Sequence, residues 1–151
     1  MSEQQYPEGA AELTRRSFAS AGAGDFDAMM TFIGPDSVWD VSPWGLGTYT
    51  GSAAIRAFFA DWIGAFDEFS VEIEELIDLG NDVIVAIATQ SARSSRMQGY
   101  MRLHQASVFV WRDGLAAHVV HYRDVRSALA AAELAAASAR GDTERAGRRS
   151  A

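Results

Sequence analysis

Residues 52–75 read SAAIRAFFADWIGAFDEFSVEIEE, and the hydrophobic period changes inside this stretch. Up to Phe66, the residues Ile55, Phe58, Phe59, Trp62, Ile63 and Phe66 recur at the i, i+3, i+4 spacing of one helix face, with Ser52 as its N-cap. From Phe69 onward the period is two: Val71 and Ile73 alternate with Glu72 and Glu74, as in a strand with one wet face. A helix with a wide aromatic stripe must cover a large apolar surface, and the strand that follows begins that surface.

Working outward, Ala10 to Ala21 reads as a helix that buries Leu13 and Phe18 and is stopped by Gly22-Ala23-Gly24. Asp25 caps a short second helix, Phe26 to Phe32. Ser37 to Val41 is a short strand, followed by a loop rich in glycine and aromatics that holds Pro43, Trp44 and Tyr49. Downstream, Val83 to Ser91, Tyr100 to Trp111 and Leu115 to Tyr122 are strands, and Arg112-Asp113-Gly114 joins the last two. The link from Ser91 to Gln98 is polar; Arg93 and Arg96 with Ser94 and Ser95 read there as a solvated loop. Ala128 to Ala139 is an alanine helix with little to pack. Helices followed by strands in hairpin order imply an α+β fold with an antiparallel sheet. A single domain over 10–135 is expected, with 136–151 a helix end and disordered charged tail.

Composition narrows the chemistry. The chain has 151 residues, 48% of them hydrophobic, enough for one domain with a sizeable core. A formal charge of −7 repels nucleic acid and anionic membranes, so neither is an expected partner. Every basic residue is arginine, which excludes lysine Schiff-base chemistry, and the lack of cysteine excludes thiol nucleophiles and disulfides. The first eight residues lack a basic and an apolar leader region, and no segment approaches the ~20 apolar residues of a membrane span. A cytoplasmic protein is the expectation.

Three local patterns carry a resemblance: Ala23-Gly24-Asp25-Phe26-Asp27; Val38-Trp39-Asp40 leading into Gly47-Thr48-Tyr49-Thr50-Gly51-Ser52-Ala53-Ala54-Ile55-Arg56-Ala57-Phe58-Phe59; and Trp111-Arg112-Asp113-Gly114 with Tyr122-Arg123-Asp124. With the element order, they make the chain similar to the SnoaL-like polyketide cyclase and ketosteroid isomerase families of the nuclear transport factor 2-like superfamily. The resemblance implies a cone-shaped α+β barrel, cystatin-like, whose curved antiparallel sheet wraps over the N-terminal helices. It implies no cofactor, a homodimer, and a pocket for a small hydrophobic molecule. Asp40 falls where the isomerase keeps its proton-shuttling aspartate, Ser17 where it places a tyrosine donor, and Ser107 near its oxyanion-stabilising acid. The catalytic positions of limonene epoxide hydrolase fall on Ile87, Thr89 and His121, none of which repeats its Arg and two Asp.

Asp40 also has a case on its own residues, because desolvation between Trp39, Val41 and Trp44 would raise a carboxylate toward general-base values; the bland reading is a loop cap. His118 and His121 differ by three along a strand and point to opposite faces, which argues against a metal. Two hairpin registers are open. A type I turn with a Gly114 bulge pairs Trp111 with Leu115, places Gln105 opposite His121 and Phe109 opposite Ala117, and points His121 inward beside Gln105, Ser107 and Phe109. A two-residue type I′ turn flips the parity and puts Tyr122 and Asp124 on that face instead. The family position favours the first. Asp124 is a secondary candidate, expected more as a helix cap than as a catalyst. Trp44 and Tyr49 belong to a pocket rim, and Phe58 and Trp62 to the helix stripe above it. The expected function is cofactor-independent acid/base chemistry, isomerisation or aldol-type cyclisation, on a small hydrophobic carbonyl compound. Asp40 and His121 would be the catalytic residues, the latter aided by Gln105. A binding protein for a hydrophobic metabolite is the alternative.

Overall fold

The computed structural model describes residues 9–94 and 99–150, with side chains as far as residue 139. The N-terminal residues 1–8, and Ser95 and Arg96 of the polar link, lie outside this range. Helices α1 (Ala10–Gly22) and α2 (Phe26–Met30) lead to strand β1 (Val38–Asp40) and then, through a 3₁₀ turn at Ser42–Trp44, to β2 (Thr48–Thr50). Helix α3 (Ser52–Gly64) follows, then β3 (Glu68–Asp78), β4 (Val83–Arg93), β5 (Tyr100–Arg112), β6 (Leu115–Tyr122) and α4 (Val125–Ser150). The strands form one curved, unclosed sheet in the order β2-β1-β6-β5-β4-β3. Every pairing is antiparallel except β1 with β6, which is parallel. Strand β2 falls in what reads in the sequence as loop, because three residues with Gly47 and Gly51 around them carry too short a period to register. Ser52 is the first helical residue rather than the cap: Gly51, at φ 88°, precedes the helix, and a Cβ there would stand 3.4 Å from the Pro35 carbonyl.

The sheet buries both faces. On the inner face, Ile84, Ala86, Ala88, Phe109, Trp111 and Val119 pack against Phe18, Met29, Phe32, Ile55 and Phe59 of the N-terminal helices and their loops. On the outer face, Ala128, Ala132 and Ala136 of α4 lie on Val83, Val85, Ile87, Ala106 and Val108. The alanine helix therefore has much to pack. Its methyl groups recur every fourth residue, and their small size lets the helix backbone settle close to a β-branched sheet surface. Helix α4 also continues beyond the alanine run, to Ser150.

A bulge between Ile73 and Glu75 keeps Val71, Ile73 and Leu76 all on the inner side of β3 while bending the strand over the helices. Helix α1 is fastened to the far wall by one buried bond, in which the Trp111 indole N–H donates to Thr14 Oγ1 at 2.8 Å. Thr14 in turn donates to the Ala10 carbonyl at 2.7 Å. Thr14→Val keeps the shape and leaves the buried indole without an acceptor, so a loss of about 1–3 kcal/mol is expected, read from the urea midpoint. An unchanged midpoint would show that the bond contributes nothing net.

Candidate functional site

The concave face does not fill completely. Between the sheet and the helices lies a cavity of about 110 Å³, somewhat under the ~150 Å³ that holds a benzene ring in an engineered protein cavity. Aromatic side chains dominate the wall, with Phe18, Trp39, Phe58, Phe59, Trp62 and Phe109 among them. Four of the six stripe residues, Phe58, Phe59, Trp62 and Ile63, border the hollow. Leu46, 39% exposed, marks the opening at the loop after β1.

Polar groups enter this wall at few places. His121 lies on the inner face of β6, paired with Ser107 on β5. Its Nδ1 is 2.5 Å from Ser107 Oγ, its ring packs on Trp39 at 4.8 Å, and it is 7% exposed. Burial lowers its pKa to about 4, against a smaller upward pull from the charge of Asp40. The imidazole is thus neutral at pH 7. A second group runs across the wall: the Trp62 indole N–H donates to Gln90 Oε1 at 3.0 Å, and Gln90 Nε2 donates to Gln105 Oε1 at 2.8 Å. A third is Trp44, whose Nε1 is buried with no hydrogen-bond partner, while Arg123 stacks over its ring at 5.2 Å. Ser17 of α1 also lines the cavity.

The inward position of His121 arises differently from the expected register. Asp113 and Gly114 both have positive φ, 55° and 78°, and Arg112 pairs with Leu115, so the turn is the two-residue type I′ form. Alone, that turn would have sent His121 outward. A register shift between Val110 and Trp111 leaves Ala117 unpaired and restores the parity, so His121 faces inward opposite Ser107, not Gln105, and Phe109 pairs with Val119, not Ala117. Tyr122 and Asp124 do not take its place.

Asp40 is not brought to the cavity. Trp39 points inward onto Phe59, and strand alternation turns Asp40 to the outer side. Its Oδ1 accepts from the Ser42 amide at 2.9 Å and from Thr48 Oγ1 at 3.0 Å. Partial burial pushes the carboxyl up, but the bonds from Ser42 and Thr48 outweigh it and hold the group below its ordinary value. That direction is opposite to the one expected of a base desolvated among aromatics.

Asp124 caps α4, accepting from the Ser127 amide at 2.8 Å and the Ser127 hydroxyl at 2.9 Å. Tyr49 spends its hydroxyl on the Leu46 carbonyl at 2.7 Å and packs on Phe58, outside the lining. Ser107 stands behind His121 rather than in the wall. Among the expected site residues, the cavity gathers His121, Gln105, Phe109, Trp44, Phe58 and Trp62. Ile87 packs under α4 and Thr89 bonds Glu74 on the outer face, so neither can act beside His121. Gln90 was legible in principle, as the residue that continues the inner row Ile84, Ala86, Ala88.

Among the described residues no helix is long and apolar enough to cross a membrane. No curated protein is similar enough in sequence to count as a match. Solved structures share the fold at low identity. TerC, crystallised with polyporic acid, is 23% identical with a TM-score of 0.65, over 82% of this chain and 98% of that one. A protein of ketosteroid isomerase-like fold from Catenulispora acidiphila, in complex with trimethylamine, is 18% identical with a TM-score of 0.67, over 79% and 90%. An LEH-like epoxide hydrolase from M. tuberculosis is 19% identical with a TM-score of 0.65, over 78% and 84%. Residues 14–119 match the family model of the SnoaL-like domain, which is most of the sheet and all three helices that roof the cavity, and the chain therefore belongs to that family.

Proposed function

We propose that the cavity binds a small, largely apolar carbonyl compound and promotes an aldol-type cyclisation of it without a cofactor. The observation that carries this reading is the character of the wall: aromatic faces, one neutral histidine, and the Gln105 amide. In this reading the Ser107 hydroxyl is the donor to His121 Nδ1, which leaves the imidazole proton on Nε2. A neutral imidazole N–H so placed polarises a carbonyl oxygen in a dry site. Gln105 supplies a further amide group for an acceptor-bearing ligand.

Among the described residues no carboxylate lines the cavity, which favours cyclisation over isomerisation. A 1,3-dicarbonyl populates its enol without help, so polarising the electrophilic carbonyl suffices, whereas allylic isomerisation needs a strong local base. Asp40 is assigned a supporting part: from the outer face its charge favours the imidazolium form of His121.

Exchange of α-protons with deuterium in a bound 1,3-diketone, benzoylacetone, followed by NMR, tests the carbonyl polarisation on which the reading depends, because a donor on the oxygen acidifies the α-protons toward buffer bases. Acceleration over buffer is expected; line-broadening on binding without faster exchange would leave only the binding-protein reading, which the same lack of a carboxylate favours. Asp40→Asn is expected to lower the His121 pKa further and to reduce exchange by less than roughly tenfold, since a charge acting across the sheet contributes ~1 kcal/mol. Abolished exchange with the His121 titration unmoved would return Asp40 to the role of base. The homodimer is proposed to pair through the part of the outer face that α4 leaves open, where Glu74 bonds Thr89 and His104. A strictly monomeric mass by light scattering would overturn it.

A further inference from the structure

We infer that Trp62 and Gln90 are specificity-determining residues that make the cavity select a hydrogen-bond acceptor, by fixing which end of the Gln105 amide it meets. The inference rests on the reading of a carbonyl ligand and adds the residues that enforce it.

An isolated glutamine can present either its oxygen or its NH₂, since the two ends of the amide have almost the same shape. The inner wall removes that freedom in sequence. Trp62 is the anchor, because an indole N–H can only donate. Its ring is held by stacking on Phe58 at 6.5 Å and by an edge contact with Phe66 at 5.7 Å. The group 3.0 Å from the indole must therefore be the Gln90 oxygen. With its oxygen there, Gln90 turns its NH₂ to the next residue, which must meet it with an acceptor, the Gln105 oxygen at 2.8 Å. Gln105 is thereby left with its NH₂ as the branch turned away from Gln90. Gln90 and Gln105 reach each other because they are diagonal neighbours on the inner face: Gln90 pairs with Leu103, and Ala88 with Gln105. All three residues line the cavity, and Gln105 is 6% exposed.

The polarity of the wall is thus written at a distance from the residue that displays it, and one substitution reverses it. Gln90→Glu replaces a residue that accepts on one side and donates on the other with one that only accepts. The carboxylate still takes the Trp62 N–H, but Gln105 can now bond it only by donating, so its amide turns over and shows its oxygen to the cavity.

The test compares acetophenone, which can only accept, with 1-phenylethanol, which can also donate, at pH 8, where a glutamate side chain is ionised. Dissociation constants come from NMR titration. Wild type is expected to favour the ketone by roughly tenfold, and Gln90→Glu to favour the alcohol. Trp62→Phe, which keeps an aromatic ring on Phe58 and removes the anchoring donor, is expected to bring the ratio toward one without inverting it, and it serves if the glutamate variant fails to fold. NOEs from the Gln105 amide protons report the orientation without any ligand: in Gln90→Glu they move to residue 90. Equal weakening of both probes, or an unchanged ratio, overturns the inference while the ligand reading stands. If neither probe binds wild type, the ligand reading fails and the inference with it, whatever the amide protons show.

Discussion

Replacing His121 with glutamine is expected to cut α-proton exchange on bound benzoylacetone by ~10²-fold or more, the usual cost of removing a positioned donor at a developing oxyanion. The same variant has a second signature that no general loss of fit would give. His121 is buried and its pKa is lowered to about 4. Above pH 6.5 neither the folded nor the unfolded chain protonates it, and its contribution to stability is fully present. As the pH falls toward 4, the unfolded chain takes up a proton that the fold refuses, so stability is lost through this window, by about 3 kcal/mol in all. Below 4 both states are protonated and the loss is complete. The difference between wild type and His121→Gln in urea unfolding, measured at pH 7 and again at pH 4.5, isolates this term from the carboxylates. Parallel pH profiles for the two proteins would mean that the imidazole is not held neutral by burial.

Phe109→Ala is expected to produce the largest loss of stability, ~3–5 kcal/mol. The ring is 1% exposed and stands at the junction of the inner core, with centroids 5.7 Å from Phe18, 6.1 Å from Trp39 and 5.8 Å from Trp111. These partners come from α1, β1 and β5, so they cannot collapse into the space together. Phe109 also lines the cavity, and its removal enlarges it. A two-ring ketone is therefore expected to gain affinity relative to acetophenone. A small change in the urea midpoint would show that the site relaxes, and the gain in the larger ligand would then be absent too.

Much of the architecture was legible because it rests on periodicity. The stripe from Ile55 to Phe66 and the alternation at Val71 and Ile73 fix a helix followed by a half-wet strand, whatever the rest of the chain does. Strand β6 was legible to the residue, Leu115 to Tyr122, since it is bounded by a glycine turn and a cap. Asp124 as a cap was readable from local chemistry alone.

The site was legible only in part, and the hairpin shows why. Its turn and its parity are separate facts: the sequence permits either turn, and the unpaired Ala117 decides which way His121 points. An alanine in a strand gives no sign that it is a bulge. Asp40 was legible in one of its two readings: Trp39 and Trp44 suggested a desolvated carboxylate, whereas its charge is held by the local bond from Ser42, as in the loop-cap reading, and by Thr48 on the paired strand β2. Those bonds reverse the shift expected of a desolvated base.

What the sequence by itself determined was the set of elements other than β2, their amphipathic faces and the absence of lysine and cysteine chemistry, all of them properties of local order and composition. Only the tertiary structure decided that the sheet and the helices leave a hollow between them, that Ser107 stands against His121, and that Trp62, Gln90 and Gln105 form one directed relay. Those contacts join residues remote along the chain, and their geometry depends on strand register, where a shift of one residue turns every side chain to the other face.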